Sequence, residues 1–332
     1  MKNARLKINT SLIVVILLVM SFIGCANKKN KKEALETQVA TQLEHTPFFK
    51  ISLAQWSLHR AIMDDKTMSP FEFAKETKAL GFEAVEYVTQ LYTFEIEKLG
   101  FETVIDSLKN ESEKYDVKNL LIMVDGEGDL ADPNVDIRDK AVENHKKWVD
   151  AAAYMGCHSI RVNTFGTMDP DIWVESVKDG LIKLSKYAAS KNINVLVENH
   201  GWWSSDPLKV MQVINEINMP NCGTLPDFGN WCYKRSENYF DGECLEEFPD
   251  KYEGIKLMMP AAKAVSAKSS DFDEKGNETR TDFLKMLQII KDSGYKEYIS
   301  VEYNFDDVGR VNEKSAIILT KKLLINASKH LD

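Results

Sequence analysis

The sequence has 332 residues, of which 44% are hydrophobic and 28% charged, and its formal net charge at pH 7 is -9. This acidic balance argues against nucleic acid as a partner, because nucleic-acid binding depends on clustered Lys and Arg. The length is enough for one large domain after the N-terminal segment.

Segment 1–24 has the layout of a secretory signal, with basic residues before a short apolar run at 12–23. That run is too short to prefer spanning a bilayer. The ending Phe22-Ile23-Gly24-Cys25 resembles a bacterial lipobox, although Phe22 and Ile23 depart from its commonest form. We expect lipidation of Cys25 and a protein anchored in the cell envelope, facing the periplasm or on the outer membrane. The alternative is an uncleaved N-terminal anchor.

The next segment, 25–46, is rich in Lys, Asn and Glu and has no apolar period. It is predicted to be a flexible tether, because it offers too little apolar surface to form a packed core. Residues 47–332 form the predicted folded domain.

A repeating unit runs through this domain. Amphipathic runs end at Gly81, Gly156 and Gly294, and a β-rich run follows each within a few residues. Glycine there is typical of a helix C-terminus, where the chain adopts a left-handed conformation. Helix starts are also visible: the sequence at 69–72 is a capping box with Pro at the first helical position, and Asp206 precedes another Pro.

Eight strands and eight helices alternate in this interpretation. The predicted strands are 51–56, 84–88, 119–124, 159–163, 194–198, 223–227, 262–267 and 298–302. The predicted helices are 69–80, 101–115, 134–155, 171–190, 206–217, 243–258, 280–292 and 311–329. Alternation implies a parallel sheet with right-handed crossovers. Eight units and the lack of a Gly-rich nucleotide fingerprint after the first strand favour a closed barrel. The prediction is a single (β/α)8 TIM barrel of the α/β class.

Three of these strands end in an acid: Glu198, Asp227 and Glu302. An acid at the end of an apolar run is costly unless it is paired, hydrogen-bonded or bound to a metal. The C-terminal ends of barrel strands converge on one face, which holds the active site. The sequence therefore predicts a hard-cation site suited to sugar or keto-acid chemistry.

Five short segments carry a resemblance to a known family. They are Gly81-Phe82-Glu83-Ala84-Val85-Glu86, Gly156-Cys157-His158-Ser159-Ile160-Arg161-Val162-Asn163, Leu196-Val197-Glu198-Asn199-His200-Gly201, Pro226-Asp227-Phe228-Gly229-Asn230 and Ser300-Val301-Glu302-Tyr303. Together they resemble the xylose isomerase-like barrel family, the sugar phosphate isomerase/epimerase group. Each motif alone is weak, but five in the right order on the right strands are specific.

The resemblance implies a divalent metal held by Glu, Asp, His and Glu on strands five to eight. Three of these map onto Glu198, Asp227 and Glu302, but Ser266 stands where the His is expected. Three alternatives are open: His200 supplies the missing nitrogen, water fills the position, or the metal is gone and Lys268 supplies the positive charge.

If a metal binds, three carboxylates and at most one imidazole suggest Mn²⁺, Mg²⁺ or Co²⁺, with Zn²⁺ less well matched. The implied chemistry is epimerisation or aldose–ketose exchange through an enediolate, with Glu198 and Glu302 moving the proton on opposite sides of the substrate. The residues expected to position substrate are Trp56, His59, Glu86, Arg161, Asn163 and Asn230. For Glu86 and Arg161 a purely structural ion pair is the competing interpretation.

The predicted envelope location favours a free, glycosidic or oxidised sugar over a sugar phosphate. A lyase or dehydratase acting on a 3-keto sugar or 3-keto-glycoside is one alternative. A carbohydrate-binding lipoprotein without catalysis is another, motivated by Ser266. The oligomeric state is not predicted.

The cysteines after Cys25 show no zinc-site spacing. Cys157 and Cys222 fall at strand starts and are expected to be buried thiols, and no disulfide is predicted for Cys232 and Cys244.

Overall fold

The structure, a computed structural model, describes residues 46–237, 242–304 and 312–331. The predicted signal, the lipidation site Cys25 and nearly all of the predicted tether lie outside these residues. Across the described ranges, no helix combines the length and the apolar character needed to cross a membrane.

Eight parallel strands form the barrel in the described chain. They are β1 (Lys50–Ala54), β2 (Ala84–Val88), β3 (Lys118–Val124), β4 (Ser159–Val162), β5 (Asn194–Glu198), β6 (Cys222–Leu225), β9 (Val265–Ser269) and β10 (Tyr298–Tyr303). Their spatial order is β6-β5-β4-β3-β2-β1-β10-β9. The ring closes between β6 and β9 through parallel bridges, one of which joins Asp227 to Ser266. The predicted (β/α)8 barrel is confirmed.

Helices cover the outside of the sheet. They are α1 (His59–Met63), α2 (Phe73–Ala79), α3 (Thr93–Leu99), α4 (Phe101–Lys114), α5 (Val135–Met155), α6 (Pro170–Ala189), α7 (Pro207–Ile217), α8 (Lys251–Met258), α9 (Phe283–Asp292) and α10 (Glu313–Lys329). Side-chain caps explain many of their starts; Asn134 and Asp206, for example, each accept two backbone N–H groups of the first turn. The left-handed Gly156 ends α5 as predicted.

The barrel interior is mostly apolar but contains a buried acid. Residues such as Leu53 and Val195 are fully buried, as expected for strands covered on both faces. Among them lies Glu86, 1% exposed, which accepts a 2.8 Å hydrogen bond from Ser52 Oγ. The interior therefore contains an ionisable group below the strand ends.

One predicted element is wrong over half of its length. The segment 243–258 was expected to be a single helix, but Cys244–Glu247 is strand β8, which pairs antiparallel with β7 (Cys232–Arg235), and the helix begins at Lys251. A disulfide joins Cys232 to Cys244 across this hairpin, where no bridge was predicted. Strand pairing and the cross-link outweigh the helix propensity of the Glu-rich stretch. Cys157 and Cys222 are free and buried, as predicted.

Candidate active site

The three predicted acids meet at the C-terminal face of the barrel. Glu198 is the last residue of β5, Asp227 follows β6 by two residues, and Glu302 lies in β10. One oxygen of each carboxylate lies within 4.8 Å of the other two, and all three side chains are buried. Strand geometry alone thus brings together groups that are far apart in the sequence.

Asn199 fixes the loop that carries Asp227. Its Nδ2 donates to the carbonyl oxygens of Asp227 at 3.0 Å and Gly229 at 2.9 Å, and its Oδ1 accepts from Asp227 N at 2.7 Å. Gly229 N in turn donates to Asp227 Oδ1 at 2.8 Å. No role was predicted for Asn199, although it lies in one of the five family-like motifs. Its position between Glu198 and His200 was the feature of the sequence that could have indicated a role in the site.

Two buried cations border the carboxylates. Lys268 Nζ lies 2.7 Å from Glu302 Oε1 and donates to Asn230 Oδ1 at 3.2 Å. Arg161 Nε lies 2.9 Å from Glu198 Oε2, without the alignment of a hydrogen bond, and its Nη1 donates to Asp125 Oδ1 at 2.9 Å. Each catalytic-pair candidate, Glu198 and Glu302, therefore has one cationic neighbour.

Burial has the largest effect on the pKa values of Glu198, Asp227 and Lys268, and neighbouring charges have the next largest. Burial raises the pKa of Glu198, and the charges of Asp227 and Glu302 raise it further although Arg161 opposes them. Burial also raises the pKa of Asp227 against the opposing charge of Lys268. For Lys268, burial would lower the pKa, but the surrounding carboxylates outweigh it and raise the value overall. The raised pKa values of Glu198 and Asp227 mean that additional positive charge nearby would stabilise their carboxylate forms.

Ser266 occupies the place where the resemblance implies a His. Its Oγ is buried, and neither this atom nor Asp227 Oδ2 has a hydrogen-bond partner among the described residues. Ser266 lies beside Asp227 but without hydrogen-bond alignment. Unsatisfied buried oxygens are rare and indicate a missing partner such as a water or an ion.

The structure does not place His200 in the carboxylate cluster, although the sequence offered it as a metal ligand. Its Nδ1 lies 2.8 Å from Asn163 Oδ1. Burial, together with the charge of Arg161, lowers the pKa of His200 well below its ordinary value, so its imidazole is neutral.

Two of the three carboxylates, Glu198 and Glu302, line a cavity of about 590 Å³, here called the main cavity. Of the predicted site residues, those that line it are Trp56, Arg161, Glu198, His200, Asn230, Lys268 and Glu302. The remaining lining residues were not predicted as site residues; they are Val88, Gln90, Met123, Asp125, Arg235, Gly242 and Asn304. Asp125 had a signal, since it follows β3 directly; Arg235 and Gly242 belong to the unpredicted hairpin.

Three predicted substrate-binding residues do not line this cavity. His59 stacks on Trp56 at 4.2 Å with nearly parallel rings, so it supports the indole. Asn163 donates to Asp125 Oδ1 at 2.6 Å and orders the polar network. Glu86 points into the barrel interior, where it bonds Ser52 instead of Arg161 or Lys268. His59 and Asn163 therefore affect the site through Trp56 and Asp125, whereas Glu86 has no contact with a cavity residue in these bonds.

Comparison with known proteins agrees with this architecture. The family model described as "Xylose isomerase-like TIM barrel" matches residues 74–322. A search of curated protein sequences found no significant match.

Solved structures with similar folds include a D-tagatose 3-epimerase-like protein, with 16% identity and a TM-score of 0.63 over 86% of this chain and all of that one. A 3-keto-D-glucoside 4-epimerase from E. coli has 15% identity and a TM-score of 0.61, covering 83% of this chain and 98% of its own. A barrel protein from Mycobacterium smegmatis in complex with magnesium has 13% identity and a TM-score of 0.59, covering 87% of this chain and 100% of its own.

Proposed function

Because this chain belongs to the xylose isomerase-like TIM barrel family, we propose that it is a divalent-metal-dependent isomerase or epimerase acting on a sugar or keto sugar. The observation that carries the proposal is the trio of buried carboxylates whose oxygens lie within 4.8 Å of one another, two of which, Glu198 and Glu302, line the main cavity. The epimerase activities named for the structurally similar proteins support the same reaction class.

The carboxylates fit a hard divalent cation. Mg²⁺ binds oxygen ligands at about 2.0–2.1 Å and Ca²⁺ at about 2.3–2.6 Å, so two oxygens on one ion lie at most about 4.2 Å apart for Mg²⁺ and about 5.2 Å apart for Ca²⁺. The carboxylate oxygens lie within 4.8 Å of one another, which is inside the limit for Ca²⁺ and at most about 0.6 Å beyond that for Mg²⁺. Asp227 Oδ2 lacks a hydrogen-bond partner among the described side chains. Glu198, Asp227 and Glu302 would hold the ion, and the all-oxygen set favours Mg²⁺ or Mn²⁺ over Zn²⁺. When bound, such an ion stabilises negative charge that develops on substrate oxygens.

The proton would be moved by Glu198 and Glu302. Two other strands, β6 and β9, separate β5 from β10 in the ring, so the two acids approach the cavity from different sides. One removes a proton from the carbon next to a carbonyl group and the other returns it on the opposite face, which inverts the carbon.

Each acid of this pair has a cationic neighbour: Lys268 lies beside Glu302, and Arg161 lies beside Glu198. The ammonium group of Lys268 lies 2.7 Å from Glu302 Oε1 and also lines the cavity, where it stabilises charge on a substrate oxygen. Trp56, held by His59, offers a flat apolar face for the C–H side of a sugar ring.

The test is exchange of carbon-bound hydrogen. Full-length protein in detergent, loaded with Mg²⁺ or Mn²⁺, is incubated in ²H₂O with free sugars and their 3-keto forms, and deuterium incorporation is followed by NMR. We expect incorporation at a carbon next to the carbonyl group, slowed at least ~100-fold by Glu198→Gln or Glu302→Gln. Glu97→Gln on the exposed surface of α3 is the matched control.

The outcomes separate the competing functions. Exchange that survives with Gln at both positions contradicts the acid/base pair. Release of water or of an aglycone identifies a lyase instead. Sugar binding without exchange, unchanged by chelator, identifies a binding protein.

A further inference from the structure

A second cavity of about 350 Å³ adjoins the main one. The two cavities lie side by side and share a wall, because four residues line both of them: Asn230, Arg235, Lys268 and Asn304. Both volumes lie in the range of about 300–1,000 Å³ that is usual for small-molecule sites. The main chamber by itself accommodates a single monosaccharide, so the second is not needed for a substrate of that size.

The second cavity is built by two βα loops, the elements that set specificity in this fold. One side is the β7–β8 hairpin, cross-linked by Cys232–Cys244. The other is the segment after β9, represented by Ser270, Arg280 and Thr281.

A fixed aromatic surface forms part of the wall. Trp231 Nε1 donates to Phe228 O at 3.0 Å, and the Trp231 and Phe248 rings lie 6.0 Å apart. Gly254 of α8 makes room for this indole, since a Cβ there would lie 2.3 Å from Trp231 Cζ3. Flat apolar rings beside polar groups are the combination that binds a sugar ring, whose faces carry C–H groups and whose rim carries hydroxyls.

The charges of the lining are largely balanced. Two of its cations have carboxylate partners at 2.7 Å: Lys268 with Glu302, and Arg280 with Asp271. Arg235 and Lys251 donate to the backbone carbonyls of Gly242 and Arg280, each at 3.1 Å.

The lining also contains the carboxylates of Glu247 and Glu278. A lining with hydrogen-bond donors, acceptors and charges of both signs suits an uncharged polyhydroxyl group. A phosphate group would be bound better by clustered cations.

We propose that the second cavity is a subsite for the second sugar unit of a disaccharide or sugar glycoside, while the reacting ring lies in the main cavity. This inference rests on the proposed function for the identity of the reacting site. The disulfide-linked hairpin then selects a glycosidic substrate over a free monosaccharide, and the shared wall residues contact both rings.

The test is a binding comparison that needs no turnover. Full-length protein in detergent with Mg²⁺ is titrated calorimetrically with trehalose, cellobiose, maltose and sucrose, and with glucose and fructose. We expect at least one disaccharide to bind at least ~10-fold more tightly than either monosaccharide, equivalent to about 1.4 kcal/mol. Ser270→Phe, which fills the second cavity only, should remove that advantage and leave monosaccharide affinity within about twofold.

Two further variants keep the test decisive. Ser190→Phe, the same change at an exposed helix end, should behave as wild type. Lys251→Met keeps the stem of a lining residue and removes its donor, so it should weaken disaccharide binding even if Ser270→Phe does not fold. Equal affinity for mono- and disaccharides overturns the subsite, as does an advantage that survives both Ser270→Phe and Lys251→Met.

Failure of the subsite and failure of the proposed function are distinguishable. A disaccharide preference without exchange of carbon-bound hydrogen retains the subsite and rejects the isomerase. Exchange without a disaccharide preference retains the isomerase and rejects the subsite.

Discussion

Glu86 is an acid whose surroundings favour its neutral form. Burial raises the pKa of Glu86 to about 7 from its ordinary 4.5, although the hydrogen bond from Ser52 opposes the rise. The side chain is outside the main cavity, so its ionisation bears on folding more directly than on substrate contact. Burying a carboxyl group costs much less free energy when it is protonated than when it is charged.

The sign of its pH effect follows from that shift. Folding favours the protonated form, so Glu86 carries no penalty below its unfolded pKa, and the penalty grows as the pH rises from 4.5 to about 7. The shift corresponds to about 3 kcal/mol, at about 1.4 kcal/mol per pKa unit. We predict that Glu86→Gln is more stable than wild type at pH 8, by up to about 3 kcal/mol relative to their difference at pH 4.5.

Urea unfolding of both proteins at the two pH values measures this difference directly. Glu97→Gln, an exposed change of the same chemistry, should show no such pH-dependent gain. A stability difference between Glu86→Gln and wild type that does not vary with pH would show that Glu86 titrates alike in the folded and unfolded chain.

At the scale of elements, the sequence was informative wherever local chemistry decides structure. Glycine caps and apolar runs placed the eight barrel strands within a few residues, and strand order then predicted that Glu198, Asp227 and Glu302 converge. The ion pair of Lys268 with Glu302 was not predicted as a contact. It depends on the register of β9 against β10, which no local pattern specifies.

The hairpin was missed for the same reason. Glu243 to Glu247 has a helix-favouring composition, and its pairing with β7 is visible only after the chain has folded back on itself. With the hairpin, sequence analysis also missed Arg235, Gly242 and the second cavity. Loops vary most in this fold, so substrate specificity is the property that local patterns predict least.

The Cys232–Cys244 disulfide should stabilise this hairpin more than the barrel. Cys244–Glu247 is exposed along its whole length, so the hairpin can open while the barrel stays folded. Closing a loop of this size contributes about 3 kcal/mol, or roughly 100-fold in an opening equilibrium. We predict that the Cys232→Ser/Cys244→Ser variant is cleaved by trypsin at Lys234 or Arg235 up to ~100-fold faster, with little change in the melting temperature.

The control is Cys157→Ser, which leaves the disulfide intact, and wild type with reductant should behave like the double variant. An unchanged cleavage rate, or a melting temperature that falls as steeply as the cleavage rate rises, would show that hairpin and barrel open together.

At the scale of the whole molecule, we propose that the barrel lies in an oxidising compartment outside the cytoplasm, because the same chain has a disulfide and a predicted secretory signal. Disulfides persist in oxidising environments such as the periplasm and the cell surface and are rare in the cytosol. The bridge lies in the loop that shapes the candidate site, so the proposed subsite depends on this compartment. A sugar enzyme there meets free and glycosidic sugars more than phosphate esters, in agreement with the balanced charge of the second cavity.

The proposed lipid anchor at Cys25 can be tested by metabolic labelling. We expect the full-length chain, expressed in a bacterial host fed an alkyne fatty acid, to carry the label and to lack residues 1–24 by mass spectrometry. Cys25→Ser should abolish labelling and leave that segment attached, whereas Cys157→Ser, at a buried thiol of the barrel, should label as wild type. A wild-type chain that keeps residues 1–24 and takes up no label would contradict the lipid anchor and favour the uncleaved N-terminal anchor.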